Sequence, residues 1–314
     1  MSTDSNNQQA QEQELWDRIS TTEGPARAEV LDELSYLLYK RDSYKECLQV
    51  VETSIEIYYK HGGVDSYLRE LIHVYEGKAF CLSNLKRLRE AAEAFEEIAK
   101  LHLLNNDENG YIRARRAAAR EWYEVEEWEM SLAGHMAAKL AIDPDATPFS
   151  MGIDLLNIGM AHAKLGNHEA AIVNYLNARL HFKEAKNPEY VNWCDNYLAV
   201  VFINVRNGPE AKYYAQHYFN YSKVAEDLTM EGYARYRLGT GYLLCGEFEE
   251  AETQLVRSLE LLTLEEDKDW PIIVDANKEL AKALFALNRT EEANTRLDRI
   301  RSIEDTINGD ERAA

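Results

Sequence analysis

Proline and glycine are scarce in this sequence, at 6 and 15 of 314 residues. Both residues interrupt regular secondary structure, so their scarcity favours long, uninterrupted elements. The sequence also lacks stretches in which β-branched residues alternate strictly with polar ones, the pattern typical of strands. Hydrophobic residues nevertheless make up 46% of the chain, enough for a sizeable core. These observations predict an all-α protein.

The sequence is also poor in positively charged residues relative to acidic ones. Lys and Arg number 35 against 55 Asp and Glu, and the formal net charge is −20. A surface of this charge repels nucleic-acid phosphates and anionic membranes. Residues 1–13 are polar and unlike a secretion signal, and no apolar run of about 18 residues occurs. We therefore expect a cytoplasmic protein that binds neither nucleic acid nor membrane directly.

Recognisable catalytic and metal-binding motifs are absent as well. The four cysteines form no CxxC pair, so we expect neither a zinc site nor a disulfide. His162 and His168 are the closest two histidines, but His168-Glu169 lacks the second His of an HExxH motif. Gly239-x-Gly241 has no preceding strand, and we interpret it as helix packing. No GxSxG occurs. The sequence predicts no enzyme, no metal and no cofactor.

The chain does contain an internal repeat. The stretch LLNIGMAHAKLGNHEAAIVNYLNA, from Leu155, recurs as ARYRLGTGYLLCGEFEEAETQLVRS, from Ala234. Equivalent residues such as Gly159 and Gly239 lie 80 positions apart, which is two periods of 40. Further copies lie between and around these two. The small residue that opens the second helix of each copy falls at 47, 91, 131, 171, 211, 251 and 293.

This pattern resembles the tetratricopeptide repeat, whose motif places Leu-Gly, Tyr, Ala, Phe and another Ala at set offsets across two antiparallel helices. The resemblance covers the chain from Pro25 to Ser302. It implies a right-handed superhelical α-solenoid of about seven helix pairs. A period of 40 is longer than the usual repeat of about 34 residues, so longer helices or links are expected. The units are 25–60, 66–104, 109–142, 149–185, 189–225, 229–264 and 270–303.

Two tails flank the predicted repeat array. Residues 1–13, rich in Gln, Asn and Ser, and residues 308–314 are predicted to be disordered. A short capping helix is expected from Glu14 to Ser20. Because such repeats bury their apolar faces only by stacking, a single solenoid without an internal domain boundary is expected over 14–307.

Solenoids of this type resemble peptide receptors whose first helices line a concave groove. The register places Arg113, Arg116 and Arg120 there as one stripe, together with amide, aromatic and Lys side chains. Arg and Lys select acidic side chains or a free carboxylate, and an Asn amide holds peptide backbone. A salt-bridged surface is an equal alternative for the stripe. The predicted peptide-binding residues are Arg113, Arg116, Arg120, Asn157, Lys164, Asn196, Asn204, Tyr236, Arg237, Lys278 and Lys282.

Three functions stay open at this point. The preferred one is an adaptor or scaffold that holds an extended, acidic segment of another protein, similar to the Pins-type adaptors. The second is a stand-alone peptide-signal sensor similar to the Rap and PlcR receptors but without their effector domain. The third is an acidic decoy that inhibits a nucleic-acid-binding protein. The partner is in each case another protein or a peptide, and homo-oligomerisation through the end units stays open.

Overall fold

The computed structural model describes residues 2–141, 146–264 and 268–311. Those residues form fifteen α-helices and contain no strand, so the predicted all-α fold class is confirmed. The helices are α1 (Ser2–Thr21), α2 (Gly24–Lys40), α3 (Tyr44–Lys60), α4 (Val64–Asn84), α5 (Leu88–Leu104), α6 (Glu108–Glu124), α7 (Trp128–Leu140), α8 (Pro148–Lys164), α9 (His168–Glu184), α10 (Pro188–Asn204), α11 (Gly208–Ala225), α12 (Leu228–Cys245), α13 (Phe248–Leu262), α14 (Trp270–Ala286) and α15 (Thr290–Glu311).

From α2 onward the helices form seven pairs, α2/α3 to α14/α15, which match the repeat units helix for helix. Three-residue turns separate most of the helices, and a residue with positive φ lies in these turns. In the turn after α2 this residue is Asp42, with φ of 60°. The Ser43 N–H then donates to the Leu38 carbonyl at 3.0 Å, which satisfies the end of the helix. Gly166 and Gly246 take the same role in other turns without steric cost.

The small residues of the repeat lie where helices approach each other most closely. A Cβ atom added to Gly239 of α12 would lie 2.7 Å from Leu255 Cγ and 3.2 Å from the Ala251 carbonyl oxygen of α13. A larger residue there would force the two helices apart. Gly239-x-Gly241 is thus helix packing, as interpreted from the sequence. The equivalent residues are all buried as well: Ala79, Ala91, Ala119, Ser131, Gly159, Ala171, Ala199, Ala211, Ala251, Ala281 and Ala293.

The helices divide into two compact units, whereas the repeat register predicts one continuous solenoid over 14–307. The first unit comprises Met1–Ala146 and Met160–Leu165, and the second comprises Thr147–Gly159 and Gly166–Ala314. Every copy of the repeat keeps the same pattern of small and large residues, so the pattern itself contains no signal for this division.

The ends of the chain also differ from their predicted disorder. Helix α1 begins at Ser2, and its Leu15 and Ile19, one turn apart, are each 4% exposed and lie in the helix that packs on α2. Gln and Glu favour helix formation, which accounts for a helix that continues back from this buried turn. At the other end α15 continues to Glu311, with Ile300 and Ile303 buried. Residues 312–314 lie outside the described part. None of the helices described is both long and apolar enough to span a membrane.

Candidate functional site

In the second compact unit, the first helices of successive pairs contact one another: α10 contacts α12, and α12 contacts α14. Side chains join them directly. The Nδ2 atom of Asn192 lies 3.5 Å from Met230 Sδ, and the Tyr233 hydroxyl donates to Asp269 Oδ2 at 2.8 Å. We call the surface formed by α10, α12 and α14 the first-helix layer. Several of the predicted peptide-binding residues lie on these three helices.

Arg237 of α12 is a half-buried cation that forms no salt bridge with the described residues, although the carboxylate of Asp269 acts on it electrostatically. Its Nε atom is buried and has no hydrogen-bond partner. The Tyr236 ring lies against it, with the guanidinium carbon 5.0 Å from the ring centroid. Burial lowers the pKa of Arg237, and the electrostatic influence of Tyr236 and Tyr218 offsets this only in part. Because an unpaired buried charge is costly, an anion that reached Arg237 would be bound favourably.

Aromatic rings lie along the same helices. Trp193 is 38% exposed and stacks on Tyr197 with ring centroids 6.3 Å apart. Tyr197 in turn stacks on Tyr175 of α9 at 5.4 Å. On α12, burial raises the pKa of Tyr236 to about 12, so this side chain is a neutral phenol at physiological pH. Such rings present flat apolar faces with polar edges, which suit an extended peptide.

Asn196 supplies an amide beside these rings. It is half-buried, and its Oδ1 atom is buried without a hydrogen-bond partner. Asn196 and Tyr236 occupy the same repeat position of the contacting helices α10 and α12, one period of 40 apart. The first-helix layer therefore contains two groups that a ligand could satisfy. The Asn196 Oδ1 atom accepts no hydrogen bond, and the Arg237 guanidinium forms no salt bridge with the described residues.

The other predicted residues of the second unit are less promising. Asn157 of α8 is half-buried, and Asn204 is exposed at the end of α10. On α14, Lys278 Nζ lies 3.2 Å from Asp275 and Lys282 Nζ lies 2.6 Å from Glu279. These acids neutralise the two lysines within their own helix. The basic character predicted for the face thus resides in Arg237 and not in α14.

The arginine stripe predicted on α6 belongs to the first compact unit. Arg113 and Arg120 are exposed and Arg116 is half-buried. Arg120 Nη2 lies 3.3 Å from the buried Glu121 carboxylate. Arg116 and Arg120 both act electrostatically on the buried His135 of α7. The three arginines share one helix as the spacing predicts, but part of their charge is engaged by neighbouring groups.

Lys164, the remaining predicted residue, lies in the part of α8 that groups with the first unit. Its Nζ atom is 5.1 Å from the centroid of the Trp128 ring, a cation–π contact. Lys164 thus belongs to the first unit, whereas Asn196 and Arg237 belong to the second.

No profile of a known protein family matches the chain, and no curated protein matches it. Solved structures do. A STAND signal-transduction ATPase with a tetratricopeptide repeat sensor, from Pyrococcus horikoshii, has a TM-score of 0.67 at 16% identity over 89% of this chain and 42% of that one. The apo form of RapI has a TM-score of 0.61 at 14% identity over 89% of this chain and 77% of that one. BtubC from P. vanneervenii has a TM-score of 0.58 at 16% identity over 72% and 92% of the two chains.

The fold is a tetratricopeptide-like helical repeat. The resemblance found in the sequence is thereby confirmed at the level of fold. This chain spans less than half of the STAND protein that it resembles. Identities of 14–16% show the fold alone, so the ligand has to be inferred from the chemistry of the site.

Two features of this tetratricopeptide-like repeat escaped the sequence analysis. One is a buried ion-pair network, in which Glu231, 4% exposed, accepts from Arg235 at 2.7 Å and from Lys223 at 3.0 Å. Burial alone would raise the pKa of Glu231, but these two cations outweigh it and the pKa is lowered. The other is a cavity of about 490 Å³ that lies among α9, α10 and α11. The cavity and the Lys223–Glu231 pair depend on contacts between different helices, for which the repeat register contains no signal. Among the residues described, no group of three or more His, Cys, Asp or Glu could hold a metal ion.

Proposed function

We propose that this tetratricopeptide-like repeat protein binds an extended, acidic peptide segment of another protein on its first-helix layer, as an adaptor or scaffold. The observation that carries the proposal is the guanidinium of Arg237, which forms no salt bridge with the described residues and whose buried Nε atom has no hydrogen-bond partner. Two other arginines of the second unit that are at least partly buried have acidic partners: Arg179 pairs with Asp195, and Arg289 with Glu252. In a chain with 55 acidic residues, a half-buried arginine without an acid points to an external one.

The neighbouring side chains suit the rest of a peptide. A carboxylate of the ligand would accept from the Arg237 guanidinium. The Asn196 Oδ1 atom, which has no donor of its own, would accept a backbone N–H. Trp193 would cover apolar parts of the bound segment. Because successive first helices repeat along the chain, a peptide in an extended conformation can contact several of them. The proposed role is binding and not catalysis.

Three pools of fluorescein-labelled random peptides, matched in length, test this proposal by fluorescence polarisation. One pool is rich in Asp and Glu, one is neutral and one is rich in Lys and Arg. The net charge of −20 repels the acidic pool and attracts the basic one. We therefore use about 0.15 M salt, which screens such general effects. Preferential binding of the acidic pool is expected, and it would oppose the overall electrostatic trend.

Arg237→Gln should weaken binding of the acidic pool about tenfold to a hundredfold, the effect of losing a charged hydrogen bond in a half-buried site. Arg257→Gln is the matched control. Arg257 is exposed on the second helix α13 and pairs with Glu260 at 2.8 Å, so its loss should leave binding unchanged. Equal effects of the two substitutions, or preference for the basic pool, would contradict the proposal.

The similarity to the STAND protein, whose repeat domain is named as a sensor, favours a second candidate function. In this alternative the bound peptide is a signal, and binding changes the conformation of the repeat. Small-angle scattering with and without a saturating acidic peptide separates the two. A changed scattering curve supports the sensor, and an unchanged curve supports the adaptor.

A further inference from the structure

A second potential ligand site lies among α9, α10 and α11, and it shares α10 with the first-helix layer but includes neither Asn196 nor Arg237. The cavity has a volume of about 490 Å³, within the range of small-molecule sites. The walls of the cavity are formed by the C-terminal part of α9, the loop between α9 and α10, the first half of α10, and α11. The lining residues are Arg179, Phe182, Lys183, Lys186, Asn187, Pro188, Val191, Asn192, Asp195, His217 and Tyr221.

The cavity is basic, although the chain as a whole is strongly acidic. Arg179, Lys183 and Lys186 face a single carboxylate, that of Asp195. Asp195 is already bound by Arg179, whose Nε and Nη2 atoms lie 2.6 and 3.3 Å from its two oxygens. Lys183 and Lys186 are exposed and form no ion pair with the described residues. Their charges are therefore available to a ligand.

The next copy of the repeat has a lysine at the same position as Lys183, and there the lysine binds a carboxylate. Lys223 is the equivalent of Lys183, one period of 40 later. Lys223 binds the buried carboxylate of Glu231 at 3.0 Å. The residue equivalent to Glu231 is Val191, which lines the cavity and has no charge. Lys183 thus occupies the same repeat position as Lys223, but position 191 offers it no carboxylate.

The wall of the cavity also includes a buried acceptor. Asn192 is 3% exposed, and its Nδ2 atom is engaged by Met230 Sδ at 3.5 Å. Its Oδ1 atom is buried and has no hydrogen-bond partner. A buried amide oxygen without a donor is costly, so a ligand that supplies an N–H or O–H group would relieve it.

We propose that the α9–α11 cavity binds a small organic anion, a carboxylate or a phosphate monoester that also carries an N–H or O–H donor. The anionic group would lie between Lys183 and Lys186, and the donor would reach Asn192 Oδ1. The site stands apart from the peptide-binding proposal, because it uses neither Arg237 nor Asn196.

Isothermal titration with glutamate, phosphoserine and inorganic phosphate as probes tests the site on the full chain. Glutamate and phosphoserine carry both an anionic group and an N–H donor, and they distinguish a carboxylate from a phosphate ligand. We expect at least one of them to bind with a dissociation constant in the millimolar range or lower. Absence of heat for all three probes would overturn the proposal.

Substitutions then locate the bound probe. Lys183→Gln combined with Lys186→Gln should weaken binding at least about tenfold, since two charged hydrogen bonds are lost. Val191→Glu should abolish probe binding, because the new carboxylate would bind Lys183 as Glu231 binds Lys223 one repeat later. Lys282→Gln removes the same charge from a lysine held by Glu279 and should have no effect. Binding that survives both cavity variants would refute the assignment.

The variant Arg237→Gln distinguishes failure of the cavity proposal from failure of the peptide-binding proposal. It should leave probe binding unchanged while it weakens the acidic peptides. Loss of probe binding in Arg237→Gln would place the probe on the first-helix layer and overturn the cavity assignment. Circular dichroism of each variant confirms that the helices are intact, so that a lost signal reports the site and not unfolding.

Discussion

Acidification from pH 8 to pH 5 should destabilise the first compact unit through one histidine, His135 of α7. Its side chain is 3% exposed, and its Nδ1 atom is buried without a hydrogen-bond partner. Burial, reinforced by the positive charges of Arg116 and Arg120, lowers the pKa of His135 to about 4. The folded chain therefore binds this proton more weakly than the unfolded chain does. The stability that neutral His135 allows is complete above about pH 6.5 and is lost as the pH falls toward 4.

The magnitude follows from linkage between protonation and folding. With a folded pKa of about 4 and an unfolded pKa of about 6.5, the free energy of unfolding should fall by about 2 kcal/mol at pH 5 and by about 3 kcal/mol at pH 4. A loss of this size is a large fraction of the stability of a typical domain, so it is measurable by urea unfolding followed by circular dichroism.

His135→Phe isolates this effect, because the same repeat position holds Phe95, Tyr175 and Leu255 in other copies. The variant should lose about 2 kcal/mol less than the parent between pH 8 and pH 5. All other titrating groups are common to both chains, so their effects cancel when the change in unfolding free energy between pH 8 and pH 5 is compared between the variant and the parent. His61→Gln, at an exposed histidine, is the control and should behave as the parent does. Equal pH dependence of the parent and His135→Phe would refute the reasoning.

Two further predictions concern packing and thiol chemistry. Gly241→Ala would place a Cβ atom 2.9 Å from the Lys212 backbone nitrogen, so α11 must move and we expect a loss of about 1–3 kcal/mol in urea unfolding. Gly77→Ala meets only an ordinary contact at 3.5 Å and should stabilise by about 0.5–1 kcal/mol; a loss at both sites would contradict the packing argument. Cys194 is fully buried, and burial raises its pKa to about 12, whereas Cys245 is partly exposed. Ellman's reagent should therefore label native Cys245 before Cys194, and the reverse order would contradict this burial.

Much of the fold was predictable because its determinants are local and periodic. A small residue recurs wherever two helices approach closely, as at Gly239 and Ala251, so the close approach can be read from the sequence pattern. Turn residues such as Gly166 and Gly246 mark the helix ends for an equally local reason, namely their positive φ. Helix α1 contains the short helix expected from Glu14 to Ser20 but is longer, and its length was not predicted because its buried residues, Leu15 and Ile19, are too few to form a periodic pattern.

The candidate site was only partly predictable. Asn196 lies on α10, and Tyr236 and Arg237 lie on the contacting helix α12; such a helix position can be read from sequence spacing. Sequence spacing could not tell Arg237 from its neighbour Arg235. Arg235 forms a salt bridge with the buried carboxylate of Glu231, while Arg237 contacts the ring of Tyr236 and forms no salt bridge with the described residues.

The sequence by itself thus determined the helical class, the period of 40 residues and the helix face on which each side chain lies. Pairs three or four residues apart in one helix, such as Lys278 and Asp275, follow from sequence spacing, but only the tertiary structure decided which charges are neutralised between helices. Arg179 and Asp195 are 16 residues apart, and Ser83 and Glu121 are 38 apart, yet each couple forms a hydrogen bond. Coulomb and hydrogen-bond energies depend on distance in space, and packing between helices sets that distance. Whether a cation such as Arg237 or Lys183 is left for a ligand is therefore decided by packing.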